Sequence, residues 1–208
     1  MIDNETLDTM LWKKVSRIKQ ELNFTQIKAI ADLFPHIVDY KSPFTSNHSI
    51  GVAEGAEKIS RFMGFDEDIC QKMYLAGALH DIGKVAIGNE ILEKPEKLTD
   101  EEFKTMKHHA VYTYYILSGI DDFEEIRDWA ALHHEKLNGK GYPFGKTADE
   151  LNEQERIMAC IDIYQALTEN RPYKKGLSHE KACDILDDMA QKGFVDSDIS
   201  NKIRECFK

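Results

Sequence analysis

The chain has 208 residues, 42% hydrophobic and 31% charged, with a formal net charge of −10. That length fits one large domain, or one domain with a small appendage, and is enough to bury a substantial core. The acidic balance argues against a nucleic-acid polymer as partner, because phosphate backbones want a basic stripe that this sequence lacks. It leaves room for a small anionic substrate where divalent cations, or a local cluster such as Lys84, Arg171, Lys174 and Lys175, invert the potential of one cleft.

The start, Met1-Ile2-Asp3-Asn4-Glu5, has neither a basic nor an apolar leader region, and no later apolar run approaches a membrane span. The expectation is a cytoplasmic chain with no membrane partner. From Leu7 to Leu22, apolar residues at Leu7, Leu11, Val15, Ile18 and Leu22 keep the spacing of one helix face. A second short helix is predicted from Thr25 to Phe34, with Pro35 marking its end. Residues 1–40 are read as an N-terminal helical extension whose stripe packs on the core or meets a homodimer or signalling partner. The segment between Tyr40 and Asn47 reads as a connection, so the main domain is set at 41–208.

From His48 a helix carries Val52, Ala56, Ile59 and Met63 on one face and ends near Gly64. The next runs from Asp66 through Ile69, Met73, Ala76 and Leu79 into His80-Asp81, with Gly83 as its expected C-terminal stop. An irregular stretch to Leu98 follows. Thr99 with Glu102 forms a capping box for a helix to about Leu117, and a helix from Glu124 delivers His133-His134 ahead of Asn138-Gly139-Lys140-Gly141-Tyr142-Pro143. Asn152 with Glu155 caps the helix bearing Asp162, Ser178 opens a helix to about Gln191, and Asp196 begins a terminal one. Strand alternation is almost absent and there is no internal repeat, so the fold class is an all-α globule. Cys70, Cys160, Cys183 and Cys206 form no CxxC pair and read as reduced thiols, with Cys160 on a core face.

The chemistry is concentrated in two doublets, His80-Asp81 and His133-His134, with His48, His109 and Asp162 around them. Five imidazoles and two carboxylates exceed the needs of one metal ion and suit two, which points to a metal-dependent hydrolase. At a helix terminus adjacent residues can serve neighbouring ions, and a carboxylate between imidazoles can bridge them; Asp81 is the candidate bridge. His36 and His179 read as surface or hydrogen-bonded histidines, and spacing alone does not separate His108 from His109.

At these residues the chain resembles the HD-GYP family of the HD phosphohydrolase superfamily, over about residues 41 to 208. The shared segments are His80-Asp81-Ile82-Gly83-Lys84, His133-His134-Glu135 leading into Gly139-Lys140-Gly141-Tyr142-Pro143, and Asp162 followed by Ala166-Leu167-Thr168 and Arg171-Pro172-Tyr173. The resemblance implies an HD-type helical bundle with a dinuclear metal centre and hydrolysis of a cyclic dinucleotide, chiefly cyclic di-GMP. It implies that His48, His80, Asp81 and Asp162 hold one ion, and that His109, His133 and His134 hold the second with Asp81 shared. It selects His109 over His108 by its place after Met106-Lys107, sets Lys84 against the scissile phosphate and bridging water, and gives Tyr142, Arg171 and Lys174 to the dinucleotide.

Each role also has a physical reason. An ammonium near two metals neutralises charge on phosphate oxygens, a guanidinium fork suits phosphate, and an aromatic held by glycine and proline suits stacking on a base or ribose. The expected chemistry is attack by a bridging hydroxide generated between ions about 3.5–4 Å apart. The ligand mix suits Fe, Mn, Ni or Zn, and the resemblance favours iron or manganese.

Four departures from the family pattern bear on substrate choice and access. Phe44 stands where some relatives place a Glu that helps bind a third metal, Thr113 where Gly is frequent, Asn138 where Asp is usual and Gln165 where many have Asp. Two other readings remain: an HD phosphohydrolase acting on cyclic GMP-AMP or a nucleoside phosphate, and a silent cyclic-dinucleotide-binding module. The second would be expected to carry a broken metal set, and here the set is intact.

Overall fold

The structure is a computed structural model and describes residues 21–41, 48–170 and 175–208. Among them are α1 (Phe24–Ala31), α2 (Leu33–Lys41), α3 (His48–Phe62), α4 (Glu67–Leu79), a 3-10 turn (Ile82–Ala86), α5 (Asn89–Leu92), α6 (Asp100–Leu117), α7 (Glu124–Ala131), a second 3-10 turn (Ala148–Glu150), α8 (Glu153–Thr168), α9 (His179–Gln191) and α10 (Ser197–Cys206). No strand occurs among the described residues; the one backbone bridge joins Asn138 to Thr147. The fold is all-α.

The centre is the crossing of α3 and α4. Val52, Ala53, Ala56 and Ile59 from α3 meet Met73, Ala76 and Leu79 from α4, and all are buried. The backbones approach so closely that a Cβ on Gly77 would lie 2.6 Å from Ala53 Cα and 2.7 Å from its nitrogen. Trp129 and Ala130 of α7, and Ile157, Met158 and Ile161 of α8, complete the core around this pair. Helices α9 and α10 close the bundle through Leu186 and Ile203.

The capping chemistry read from the sequence is present. Thr99 with Glu102 and Asn152 with Glu155 form reciprocal capping boxes, and Asp66, Ser178 and Asp196 accept backbone N–H groups at their helix starts. Each satisfies donors that the first turn leaves without an intrahelical acceptor.

Three local expectations are corrected. Pro35 does not end a helix: the break falls at Asp32, and Pro35 sits in the first turn of α2, where its missing N–H costs nothing. Gly83 is not a left-handed stop, since it lies inside the first 3-10 turn and its φ is not positive. It is glycine because a Cβ there would meet the His109 carbonyl oxygen at 2.0 Å. The stretch read as irregular before Leu98 contains that 3-10 turn and α5. The stripe from Leu7 to Ile18, and Phe44 in the connection, lie outside the described residues. Helices α1 and α2 contribute Ala31 and Val38 to the buried core.

The α3–α4 crossing gives a direct test. Gly77→Ala forces two backbones apart in a packed core, so the variant should lose about 1–3 kcal/mol of stability, measured by urea denaturation against the wild type.

Candidate metal centre

Three helix ends and two helix interiors converge on one buried cluster. His48 opens α3, His80 caps the end of α4, Asp81 follows it, and His133-His134 follow α7 directly after its last turn. His109 projects from within α6 and Asp162 from within α8. Their ligand-type atoms fall into three overlapping groups, His48 with His80 and Asp162, His109 with His133 and His134, and His80 with Asp81 and His133, each set within 4.8 Å.

The imidazoles are aimed by hydrogen bonds on their far sides. Nδ1 of His80 lies 2.7 Å from Gly77 O, that of His109 2.7 Å from Met106 O, and that of His133 2.6 Å from Ala130 O. A nitrogen facing a carbonyl must carry the proton, so Nε2 of each ring holds its lone pair and points inward. All three Nε2 atoms are buried and none has a hydrogen-bond partner; Asp81 Oδ1 is in the same position. Buried lone pairs left facing one another are costly unless something neutralises them. The donor set therefore fits a divalent ion: neutral imidazoles and ionised carboxylates at short range, held by groups behind them.

The carboxylates are placed between the rings. Asp81 Oδ2 is 3.3 Å from His80 Nε2, and Oδ1 is 3.4 Å from His109 Nε2, so its two oxygens face two different histidine groups. Asp162 Oδ1 is 3.0 Å from His48 Nε2, and its Oδ2 is 3.7 Å from His134 Nδ1. His134 thus differs from the other rings in turning Nδ1 inward. Lys84 Nζ lies 2.5 Å from Asp81 Oδ2.

Burial opposes ionisation of Asp81, but Lys84, His80 and His109 hold its carboxyl well below the usual range. Asp162 is likewise held down against burial by its His48 hydrogen bond and the surrounding imidazoles. Burial pushes His133 far down, and His109 down as well. Burial also lowers His134, from the ordinary 6.5 to about 4. For His80 burial acts in the same direction, but the Asp81 and Asp162 carboxylates outweigh it and the ring is raised.

His108 is exposed, whereas His109 is buried in the cluster. His179 bridges Tyr164 OH and the Arg204 carbonyl, a structural role, and His36 is exposed. Cys160 is buried, and burial pushes its thiol up to about 12. Tyr142 stands beside the cluster, its ring 4.7 Å from that of His134 and 6.3 Å from that of His109. Arg171 and Lys174 lie outside the described residues.

Two structural residues were named by the sequence without their role. Glu135 is buried, and its carboxylate accepts backbone N–H bonds from Phe144 at 2.7 Å, Gly145 at 3.0 Å and Lys146 at 3.1 Å. It folds the loop carrying Tyr142 back onto the His133-His134 segment. A Cβ on Gly141 would come within 2.4 Å of Lys136 N, so only glycine permits that approach. The available signal was an acid placed between a histidine doublet and a glycine-rich loop.

Thr113 is the second. Its Oγ1 donates to His80 O at 2.9 Å and accepts from Gly83 N–H at 3.0 Å. It is fully buried, so it pins the His80-Gly83 turn and does not shape an access path as expected from the sequence. Asn138, by contrast, is exposed and accepts from Lys140 N–H at 3.1 Å within the loop. Gln165 packs across Gly51, where a Cβ would meet its Nε2 at 2.0 Å.

An HD domain model matches residues 32–199. The chain belongs to the HD domain family. Its two histidine-containing motifs, with the Gly-Tyr-Pro loop between them and Asp162, assign it to the HD-GYP branch. It is 35% identical over 185 residues to the 3'3'-cGAMP-specific phosphodiesterase 1 of Vibrio cholerae, covering 89% of this chain and 43% of that one. It is 36% identical over 140 residues to a cyclic di-GMP phosphodiesterase of Pseudomonas aeruginosa, covering 67% of this chain and 34% of that one. The chain thus spans less than half the length of these curated relatives. The HD domain of the L. monocytogenes phosphodiesterase PgpH, solved in complex with cyclic-di-AMP, shares the fold with a TM-score of 0.62 at 18% identity, over 84% of this chain and 92% of that one.

Two predictions follow from the site's supports. Thr113→Val leaves the Gly83 N–H buried without an acceptor, and should cost about 1–3 kcal/mol in denaturant unfolding while Thr113→Ser retains most of it. For protein stripped of metal by a chelator, the depressed histidine pKa values set the sign of the pH response. Unfolding lets His134 take up protons from the ordinary 6.5 downward, whereas the folded ring resists to about 4. The contribution is fully present above 6.5 and is lost as pH falls toward 4. The melting temperature of the stripped protein should therefore decline across that window, with His134→Asn flattening the decline.

Proposed function

We propose that this chain is a metal-dependent phosphodiesterase that hydrolyses a cyclic dinucleotide, with cyclic di-GMP as the expected substrate. The observation that carries it is the buried cluster of inward lone pairs around Asp81, in a chain of the HD domain family. The division of the ligands supports two ions. His48, His80 and Asp162 would hold one, His109, His133 and His134 the other, and Asp81, with one oxygen toward each group, would be shared. When bound, divalent ions of this kind supply an activated water near neutral pH and stabilise charge on phosphate. Iron or manganese is the expected pair for this mixture of imidazole and carboxylate.

The chain's own residues provide the rest. Lys84 lies over the shared carboxylate and is placed to neutralise charge growing on the non-bridging phosphate oxygens. Tyr142, half-buried against His134, offers a ring face for a base or ribose. Arg171 and Lys174 are assigned to the phosphates from their place in the family pattern. The lack of a membrane-spanning helix among the described residues, together with the four unpaired thiols, supports a cytoplasmic enzyme. Cyclic GMP-AMP is the second reading, favoured by the 3'3'-cGAMP-specific relatives.

Turnover of cyclic di-GMP, 3'3'-cGAMP and mononucleotides, assayed in parallel with metal content, decides between these substrates. Chelation should abolish turnover and re-addition of Fe(II) or Mn(II) restore it. Lys84→Ala should lower kcat with metal content unchanged, because it acts on charge that develops in the transition state. An unchanged kcat in that variant removes its catalytic role.

A further inference from the structure

Of the histidines that turn Nε2 toward the cluster, His48 is held differently. His80, His109 and His133 each donate Nδ1–H to the carbonyl three residues earlier, a bond that helix geometry provides. His48 is the first residue of α3, so no preceding turn of that helix offers such a carbonyl. Its Nδ1 is buried and has no hydrogen-bond partner. The acceptor that faces it is Glu169 Oε2, at 3.8 Å, with only 5% of the His48 side chain and 9% of the Glu169 side chain exposed.

Glu169 is presented by the element that presents Asp162. It caps the C-terminus of α8, seven residues beyond Asp162, which is about two helical turns and returns it to the same side. One helix therefore brackets one imidazole, with Asp162 Oδ1 3.0 Å from Nε2 and Glu169 near Nδ1. A contraction of about 0.8 Å brings the outer contact to ordinary N–H···O length. Carboxylate behind imidazole is a general device for fixing the tautomer and orientation of a metal-binding histidine and for raising its basicity.

We propose that Glu169 is a positioning residue for the metal centre: its carboxylate orients His48 through Nδ1–H, the task that backbone carbonyls perform for His80, His109 and His133. The inference rests on the reading of His48 as a metal ligand. It assigns Glu169 no contact with substrate. Because the acceptor is a side chain, this is the one of the four orientations that a substitution can remove without touching the backbone.

The test uses Zn(II) affinity, measured by competition with a chromophoric chelator on the full chain, with variants Glu169→Ala, Glu169→Gln and His48→Ala. Glutamine keeps an acceptor oxygen and discards the charge. Glu169→Ala should weaken Zn(II) binding about 10–100-fold, and Glu169→Gln should restore it to within a few-fold of wild type. Equal losses in both would mean that charge, not an oriented acceptor, is at work, and would overturn the proposal. Wild-type affinity in both, with affinity lost in His48→Ala, would also overturn it while leaving the metal centre intact. Unchanged affinity in His48→Ala would instead remove the reading on which it rests. A measurement without variants guards against misfolding: 15N NMR of the Zn(II)-loaded wild type should find His48 protonated at Nδ1, and protonation at Nε2 would refute the assignment.

Discussion

The structure turns on one double requirement met by one kind of bond. The last carbonyls of a helix lack intrahelical donors, and a buried imidazole must commit one nitrogen to an acceptor if the other is to keep a free lone pair. His80 and His133 meet both needs by donating Nδ1–H to Gly77 O and Ala130 O in the closing turns of α4 and α7. His109 repeats the bond within α6. Once those bonds form, the direction of each Nε2 is no longer adjustable. The helix ends must then be packed so that the lone pairs converge, and that demand fixes the α3–α4 crossing and the docking of α6 on the turn after Asp81.

Close backbone approach is what makes the convergence achievable. Gly77 lets α4 meet α3 at Ala53, Gly83 lets the turn after Asp81 meet the His109 carbonyl, and Gly141 lets the tyrosine loop meet Glu135 and Lys136. At each of these positions a methyl group would clash with backbone, which cannot step aside as a side chain can. Buried polar groups then lock the contacts. Thr113 ties the His80-Gly83 turn to α6, and Glu135 gathers three amides of the loop carrying Tyr142. Their desolvation is offset only because every donor they face is satisfied.

The electrostatics follow from the same burial. In a chain of net charge −10, two carboxylates are held ionised in the core, Asp81 by Lys84 and its flanking histidines, and Asp162 by the His48 hydrogen bond. Around them burial keeps His109, His133 and His134 deprotonated. Neutral nitrogen donors beside anionic oxygens are the protonation states that a divalent ion requires, so at His109, His133 and His134 the folded chain has met the proton cost of binding, whereas at His80 the two carboxylates raise the ring against burial and that cost is not met.

Helix faces, caps and the identity of the cluster were legible in the sequence because they depend on local periods and on residue types. Val52, Ala56 and Ile59 follow the helical repeat, Thr99 with Glu102 and Asn152 with Glu155 are contiguous signals, and the paired histidines are chemically distinctive. Pro35 and Gly83 are ambiguous in the sequence because each has more than one local use: proline fits a first turn as well as a break, and glycine serves close approach as well as a left-handed stop. The choice between His108 and His109 could not come from spacing, since neighbouring residues on α6 differ only in which side the rest of the fold covers. The same holds for Thr113, Glu135 and Glu169, whose partners lie on other elements. The sequence determined which groups were available and on which helices; the tertiary structure alone decided which nitrogen of each ring faces inward, because that depends on the acceptor standing behind it.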